Sequence, residues 1–323
     1  MALKELDNSN ISKHLGQSSK YKSTYDSSLL VKEPRQSNRT HLGLSDDNLP
    51  FVGQDTWNAY EVSGLTNNGR PVSGVAKIVY PCDSEYIVES KSLKLYFNSF
   101  NGTKLGYDER AVLDKIAWTS RDDLCELLGC MQVEVHVHTN KAVLEDPTAA
   151  KNEWQILNKN TTISKGDLRP LITEYITLED DYNVDSVQFS VYNETPELLE
   201  VIKDAPTDWV HYHSALLKSN CRVTSQPDWG DVYIDIKSDD TVDPISLLKY
   251  IVSFRDENHF HEEICETIYK RLWDTLKPEK LAVRCLYARR GGLDINPERV
   301  SHSSLKHNAL SDVSIAHIKT PKQ

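Results

Sequence analysis

No apolar run in the 323-residue sequence approaches the roughly 18 residues that cross a bilayer, and the first 48 residues are rich in Ser, Asn, Lys and Asp. Neither a membrane span nor a secretory leader is expected, and a cytoplasmic location is. Cysteine is sparse and scattered: Cys82, Cys125, Cys130, Cys221, Cys265 and Cys285 lack paired CxxC spacing. That excludes a disulfide framework and a four-cysteine zinc site, leaving each thiol to packing or chemistry. A positive excess is missing as well. A formal net charge of −11 argues against a protein that grips phosphate backbone, so no direct nucleic-acid partner is expected. No GxGxxG follows a strand, which removes a Rossmann cofactor site. What is present, 39% hydrophobic residues over a length that allows one large or two ordinary domains, suffices for a packed core.

The polar, aperiodic stretch from Met1 to about Leu49 reads as an extended arm. Beyond it, Gly74 to Tyr80 and Gln132 to His138 read as strands, with helices from Ser92 to Phe100 and between Asp108 and Leu128. The C-terminal half repeats the order. Cys221–Thr224 and Val232–Ile236 read as strands joined across a turn at Pro227, Asp228 and Gly230. Helices follow from Asp243 to about Arg255 and from about Asn258 to Leu276, and Leu281–Ala288 is a strand before a break at Gly291 and Gly292. Residues 139–205 read as outer strands plus a connector. The pattern predicts an α+β fold of two similar units, antiparallel strands on one side and helices on the other.

Four segments could carry chemistry. LLKSNCRVTSQPDWG (216–230) sets Asp228 seven residues after Cys221, and a hairpin would bring a thiol nucleophile near a carboxyl that handles its proton. An inert buried thiol and a turn aspartate explain the same residues. FHEE (260–263) opens a predicted helix; a glutamate there can accept two adjacent N–H groups of a guanine-like edge, or simply match the helix dipole. Arg289–Gly292 after a strand, and Glu89–Lys91 between strand and helix, put cations beside exposed backbone N–H groups, which suits a phosphate-rich cofactor. The HxH pairs His136/His138 and His211/His213 suggest zinc, but polar alternation explains them equally and no further ligands cluster with them, so no metal is expected.

Together these segments resemble the 7-cyano-7-deazaguanine reductases of queuosine biosynthesis in their long two-module form. The resemblance rests on ESKSLKLY (89–96) followed by FNSFN (97–101), on LLKSNCRVTSQPDWG, SFRDENHFHEE (253–263) and RRGGLDINP (289–297), and, in the arm, on STYDSSLL (23–30) and DNLPFVGQDTW (47–57). It covers nearly the whole chain, least from 139 to 205 and after Pro297. It implies an arm (1–50), an N-terminal module (51–205), a catalytic module (206–300) and a tail (301–323). The modules would be tandem tunnelling folds (T-folds), each a four-stranded antiparallel sheet with two helices, in a barrel-like homodimer with the active site near module boundaries. Cys221 would attack the nitrile carbon to form a thioimide and Asp228 would donate the proton. Val88, Glu89, Ser90, His261 and Glu262 would hold the deazaguanine, and Ser90, Lys91, Arg290 and Gly291 would contact NADPH. Two NADPH would be used per nitrile, with no metal or flavin. A zinc-dependent hydrolase like the GTP cyclohydrolases, and a non-catalytic purine-binding module, are the rival readings.

Overall fold

The computed structural model describes residues 21–139, 175–205, 207–315, 320, 322 and 323. An N-terminal unit runs β1 (Val52–Thr66), β2 (Pro71–Pro81), α1 (Ser90–Ser99), α2 (Glu109–Leu128) and β3 (Glu134–Thr139). A second unit runs β4 (Thr207–Cys221), β5 (Pro227–Ser238), α3 (Pro244–Val252), α4 (His261–Leu276), β6 (Lys280–Tyr287) and β7 (Leu293–Val300). The main strands lie in the order β4-β5-β6-β7-β1-β2-β3. β7 pairs antiparallel with β1 from Leu293 opposite Ala59 to Val300 opposite Val52, so one sheet runs through both units. The architecture is α+β, two units of antiparallel strands with helices on one side, as the sequence pattern predicts.

Local chemistry sets the helix ends. The Asp108 carboxylate accepts from Ala111 N at 2.8 Å to cap α2, which Gly129 closes at φ +63°. Asp243 caps α3 through Ser246 N at 2.7 Å, with Pro244 in the first turn. Two of the expected elements change. Cys221 ends the long β4 instead of starting a strand, and Asp228 lies within β5 opposite Ser219 instead of in the turn. The helix expected from Asn258 begins at His261, because Asn258 and His259 first pair in parallel with the end of β4. β1 and β7 escaped the sequence reading, as did the arm's strand Lys32–Pro34 and helix Gln36–His41. Most of the stretch expected to hold outer strands, 140–174, lies outside the described residues.

The reason β1 and β7 were hard to read lies in their burial. Helices cover one face of the sheet, where Val232, Ile234 and Ile236 pack with α3 and α4, and Trp57, Ala59 and Ile78 pack with α1 and α2. The alternate residues on the other face are polar yet also buried, including Gln54, Thr56, Asn58, Asp294, Asn296 and Glu298. Apart from Asn58 Oδ1, they find partners in one another and in the segment after β7. Gln54 donates to Glu298 at 2.6 Å, and Thr56 donates to the Leu310 carbonyl at 2.9 Å. A strand buried on both faces, one of them polar, shows no simple apolar alternation.

Between the units lies a buried ion network. Arg35 donates to Asp55 at 2.5 Å, Arg39 to Glu266 at 2.7 and 2.9 Å, and Arg299 to Asp55 and Glu266, each at 2.8 Å. Arg35 and Arg39 belong to the arm, Asp55 to β1, Glu266 to α4 and Arg299 to β7, so the network pins the arm across the junction. Burial pushes Glu266 up, but the facing guanidinium groups outweigh it and hold the carboxyl below its usual range. Removing one partner leaves buried charge uncompensated. Arg39→Met is therefore expected to lower unfolding stability by about 3–5 kcal/mol in urea titrations; a change under about 1 kcal/mol would show that Arg299 alone satisfies Glu266.

Candidate active site

At the junction of the two units lies a cavity of about 210 Å³. Each residue to which the resemblance assigns a role lines it: Val88, Glu89, Ser90, Lys91, Cys221, Asp228, His261, Glu262, Arg290 and Gly291. They arrive on separate elements. Val88–Lys91 form the entry to α1, Cys221 ends β4, and Asp228 sits near the start of β5. His261 and Glu262 open α4, and Arg290 and Gly291 make the hairpin turn from β6 to β7.

That turn is tight. Arg290 N donates to Leu293 O at 2.8 Å and Leu293 N returns to Arg290 O at 3.1 Å. Gly291 and Gly292 lie at φ +59° and +82°, the left-handed pair that a two-residue hairpin demands. A Cβ on Gly292 would meet only the exposed end of the Glu61 side chain, which can move aside, so it is the positive φ that calls for glycine.

The cavity wall is built around three polar groups. Asp228 accepts from Arg290 Nη1, and its other oxygen stands 3.3 Å from His261 Nε2. The His261 ring stacks on Tyr287, centroids 3.7 Å apart and planes within 4°. Glu262 is 2% exposed, and its Oε1 is buried without a hydrogen-bond partner, as is His261 Nδ1. Glu89 behaves differently. Its two oxygens accept from Lys91 N at 2.9 Å and Ser92 N at 2.6 Å, so its carboxylate caps α1.

A family profile described as the N-terminal part of the nitrile reductase 7-cyano-7-deazaguanine reductase matches residues 21–138, and one described as QueF-like protein matches 227–306. The NADPH-dependent 7-cyano-7-deazaguanine reductase of Cupriavidus metallidurans is 40% identical over 90% of this chain and 93% of its own length. Its counterpart in Chromohalobacter salexigens is 39% identical over 88% of this chain and 90% of its own. This chain belongs to the 7-cyano-7-deazaguanine reductase family.

For a member of this family the electrostatics of the cavity are informative. Burial pushes Asp228 up, but the hydrogen bonds and charges of His261 and Arg290 outweigh it and hold the carboxyl below its ordinary value. Glu262 moves the other way. Burial, reinforced by the charge of Asp55, raises it to about 8. Two carboxyl groups in one cavity are thus driven apart, one held as the carboxylate by its hydrogen-bonding partners and one raised by burial.

Trp57, Lys94, His259, Leu293 and Ile295 also line the cavity and were not singled out in the sequence. Lys94 stood within the ESKSLKLY motif. The others also stood within segments quoted above, Trp57 in DNLPFVGQDTW, His259 in SFRDENHFHEE, and Leu293 and Ile295 in RRGGLDINP, but their place in the wall depends on the pairing of β7 with β1 and of His259 with β4. The two HxH pairs lie elsewhere: His138 Nε2 is 2.9 Å from Val313 O, His211 Nδ1 is 2.8 Å from Asp235, and His213 Nε2 is 3.2 Å from Asp231. Among the described residues no three His, Cys, Asp or Glu side chains gather as a metal site, and no helix is long and apolar enough to cross a membrane.

Proposed function

We propose that the chain carries out the reaction its relatives are named for, NADPH-dependent reduction of 7-cyano-7-deazaguanine, through a covalent thioimide on Cys221. The observation that carries this reading is a buried glutamate with a free oxygen, Glu262, in the same small cavity as a half-buried thiol. A guanine-like edge offers a ring N–H and an exocyclic amine to one carboxylate, and binding would supply the partner that Oε1 lacks. The nitrile carbon would then lie within reach of Cys221. Addition of the thiolate to that carbon places negative charge on the nitrile nitrogen, which must take a proton as the C–S bond forms.

Asp228 and His261 stand together where that proton is needed. Arg290 holds Asp228 as the carboxylate, so Asp228 becomes an acid only as Arg290 turns away. Arg290, Lys91 and Lys94 line one side with the Gly291–Gly292 turn, and a phosphate group there would compete with Asp228 for the guanidinium. Those residues fit NADPH, which when bound supplies a hydride in each of two rounds and so takes the nitrile to the primary amine. The chain's own part is to fix the ring, hold the sulfur and move the proton. A homodimer, a cytoplasmic location and no direct nucleic-acid contact complete the proposal. The net charge of −11 supports the last of these, and sedimentation tests the first.

The reading is tested by NADPH oxidation with 7-cyano-7-deazaguanine, expected at two NADPH per nitrile; no oxidation would refute it. Affinity gives a sharper test. The ligand needs the carboxylate, and free Glu262 is protonated below about 8, so a proton must leave on binding. Measured by calorimetry in a Cys221→Ala background, affinity should rise about tenfold per pH unit from pH 6 and level off above 8. Glu262→Gln should flatten that slope and weaken nitrile binding by roughly ten- to a hundredfold while sparing NADPH. Unchanged nitrile affinity would remove Glu262 from recognition.

A further inference from the structure

His259 lines the cavity but takes no part in the chemistry above. It pairs in parallel with Cys221 at the end of β4, which places the two residues side by side on neighbouring strands. Its Nδ1 stands 3.2 Å from Glu263 Oε2 and its Nε2 3.2 Å from Glu257 Oε2. Carboxylates only accept, and a neutral imidazole carries one N–H. Satisfying both contacts therefore requires the doubly protonated ring.

The two glutamates tie different parts of the site. Glu257 O accepts from Asn220 N at 2.7 Å, beside the nucleophile, and its carboxylate accepts from Glu194 N at 2.9 Å. Glu263 accepts from Phe260 N at 2.9 Å at the start of α4, and it pairs with Arg222, the residue after Cys221, at 2.8 Å.

We infer that the His259 imidazolium is a positioning device that rivets the segment carrying Cys221 to the first turn of α4, holding nucleophile and purine-binding carboxylate in register. The inference rests on the roles proposed above for Cys221 and Glu262. Burial opposes the charge on His259, but the hydrogen bonds of Glu257 and Glu263 outweigh it and raise its pKa to about 9. The charged groups facing this cluster are Arg222 and, from the arm, Glu33. Cys221, Asp228, His261 and Glu262 share the cavity. Above about pH 9 the ring loses a proton and turns a lone pair toward one carboxylate, so the rivet opens.

Adduct formation between enzyme and nitrile without NADPH tests this, because it isolates Cys221 addition. The thiolate fraction only rises with pH, so a fall must come from another group. In the wild type the adduct rate should drop at least about tenfold above pH 9, as small misplacements cost that much. Glu257→Gln should move the drop to lower pH, and His259→Arg, which keeps a permanent charge with several donors, should restore the rate and move the drop upward. A drop that stays put in both variants would overturn the inference. Nitrogen NMR of the imidazole provides a second readout: both nitrogens should be protonated at pH 7.5 in the wild type, with a lower pKa in Glu257→Gln. A ring neutral at pH 7.5 would equally overturn it. If no adduct forms at any pH, the Cys221 assignment fails instead, and the imidazole titration still decides whether the bridge exists.

Discussion

Cys221→Ala is expected to reduce turnover to background and to abolish the covalent adduct. The nitrile carbon is a poor hydride acceptor until a nucleophile converts it to an sp² thioimide, and Cys221 is the cysteine that lines the cavity. Cys265 and Cys285 are fully buried, and burial drives the Cys265 thiol well above its ordinary range, so neither can substitute. Intact-protein mass spectrometry on enzyme incubated with nitrile alone should show one adduct on the wild type and none on the variant. An equal adduct on Cys221→Ala would place the nucleophile elsewhere. Because Cys221 ends a strand and is only half-buried, the variant should fold normally, which separates lost chemistry from lost structure.

Asp228→Asn is expected to cut turnover by about a hundred- to ten-thousandfold while leaving the fold intact. The amide matches the carboxylate in shape but cannot deliver a carboxyl proton as the thiolate adds. Its loss frees Arg290, whose side chain is 39% exposed and can turn to solvent, so the uncompensated charge costs little stability. His261 keeps its stack on Tyr287. Single-turnover absorbance of the adduct is the measurement. Slowed adduct formation with unchanged nitrile affinity would fit an acid, whereas near-normal rates would leave Asp228 a structural partner of Arg290.

Much of the site could be read from local sequence because its residues occur in short runs whose spacing suits their elements. Glu89–Lys91 cap and open α1, His261 and Glu262 open α4, and Gly291 with Gly292 makes a turn that few other residues allow. The HxH pairs show the converse. His211 and His213 alternate as surface residues would, yet they face Asp235 and Asp231 on the polar sheet face, where Tyr175 packs against His211 and Thr177 lies beside His213. Local pattern cannot tell a polar face that meets water from one that meets other polar groups. β1 was missed for the same reason, and with it Trp57 in the cavity wall.

By itself the amino-acid sequence determined the classes of element, the repeated α+β order and the candidate groups for the chemistry, because helix caps, glycine turns and side-chain chemistry act over a few residues. Only the tertiary structure decided their states. The eight-residue pairing of β7 with β1 brings the two units together into one cavity. Within it Arg290 and His261 ionise Asp228, burial beside Asp55 lifts Glu262, and two glutamates hold His259 as a cation. Charge and solvation depend on what lies across space, and the partners that set them here can be far apart along the chain, as Asp55 and Glu262 are.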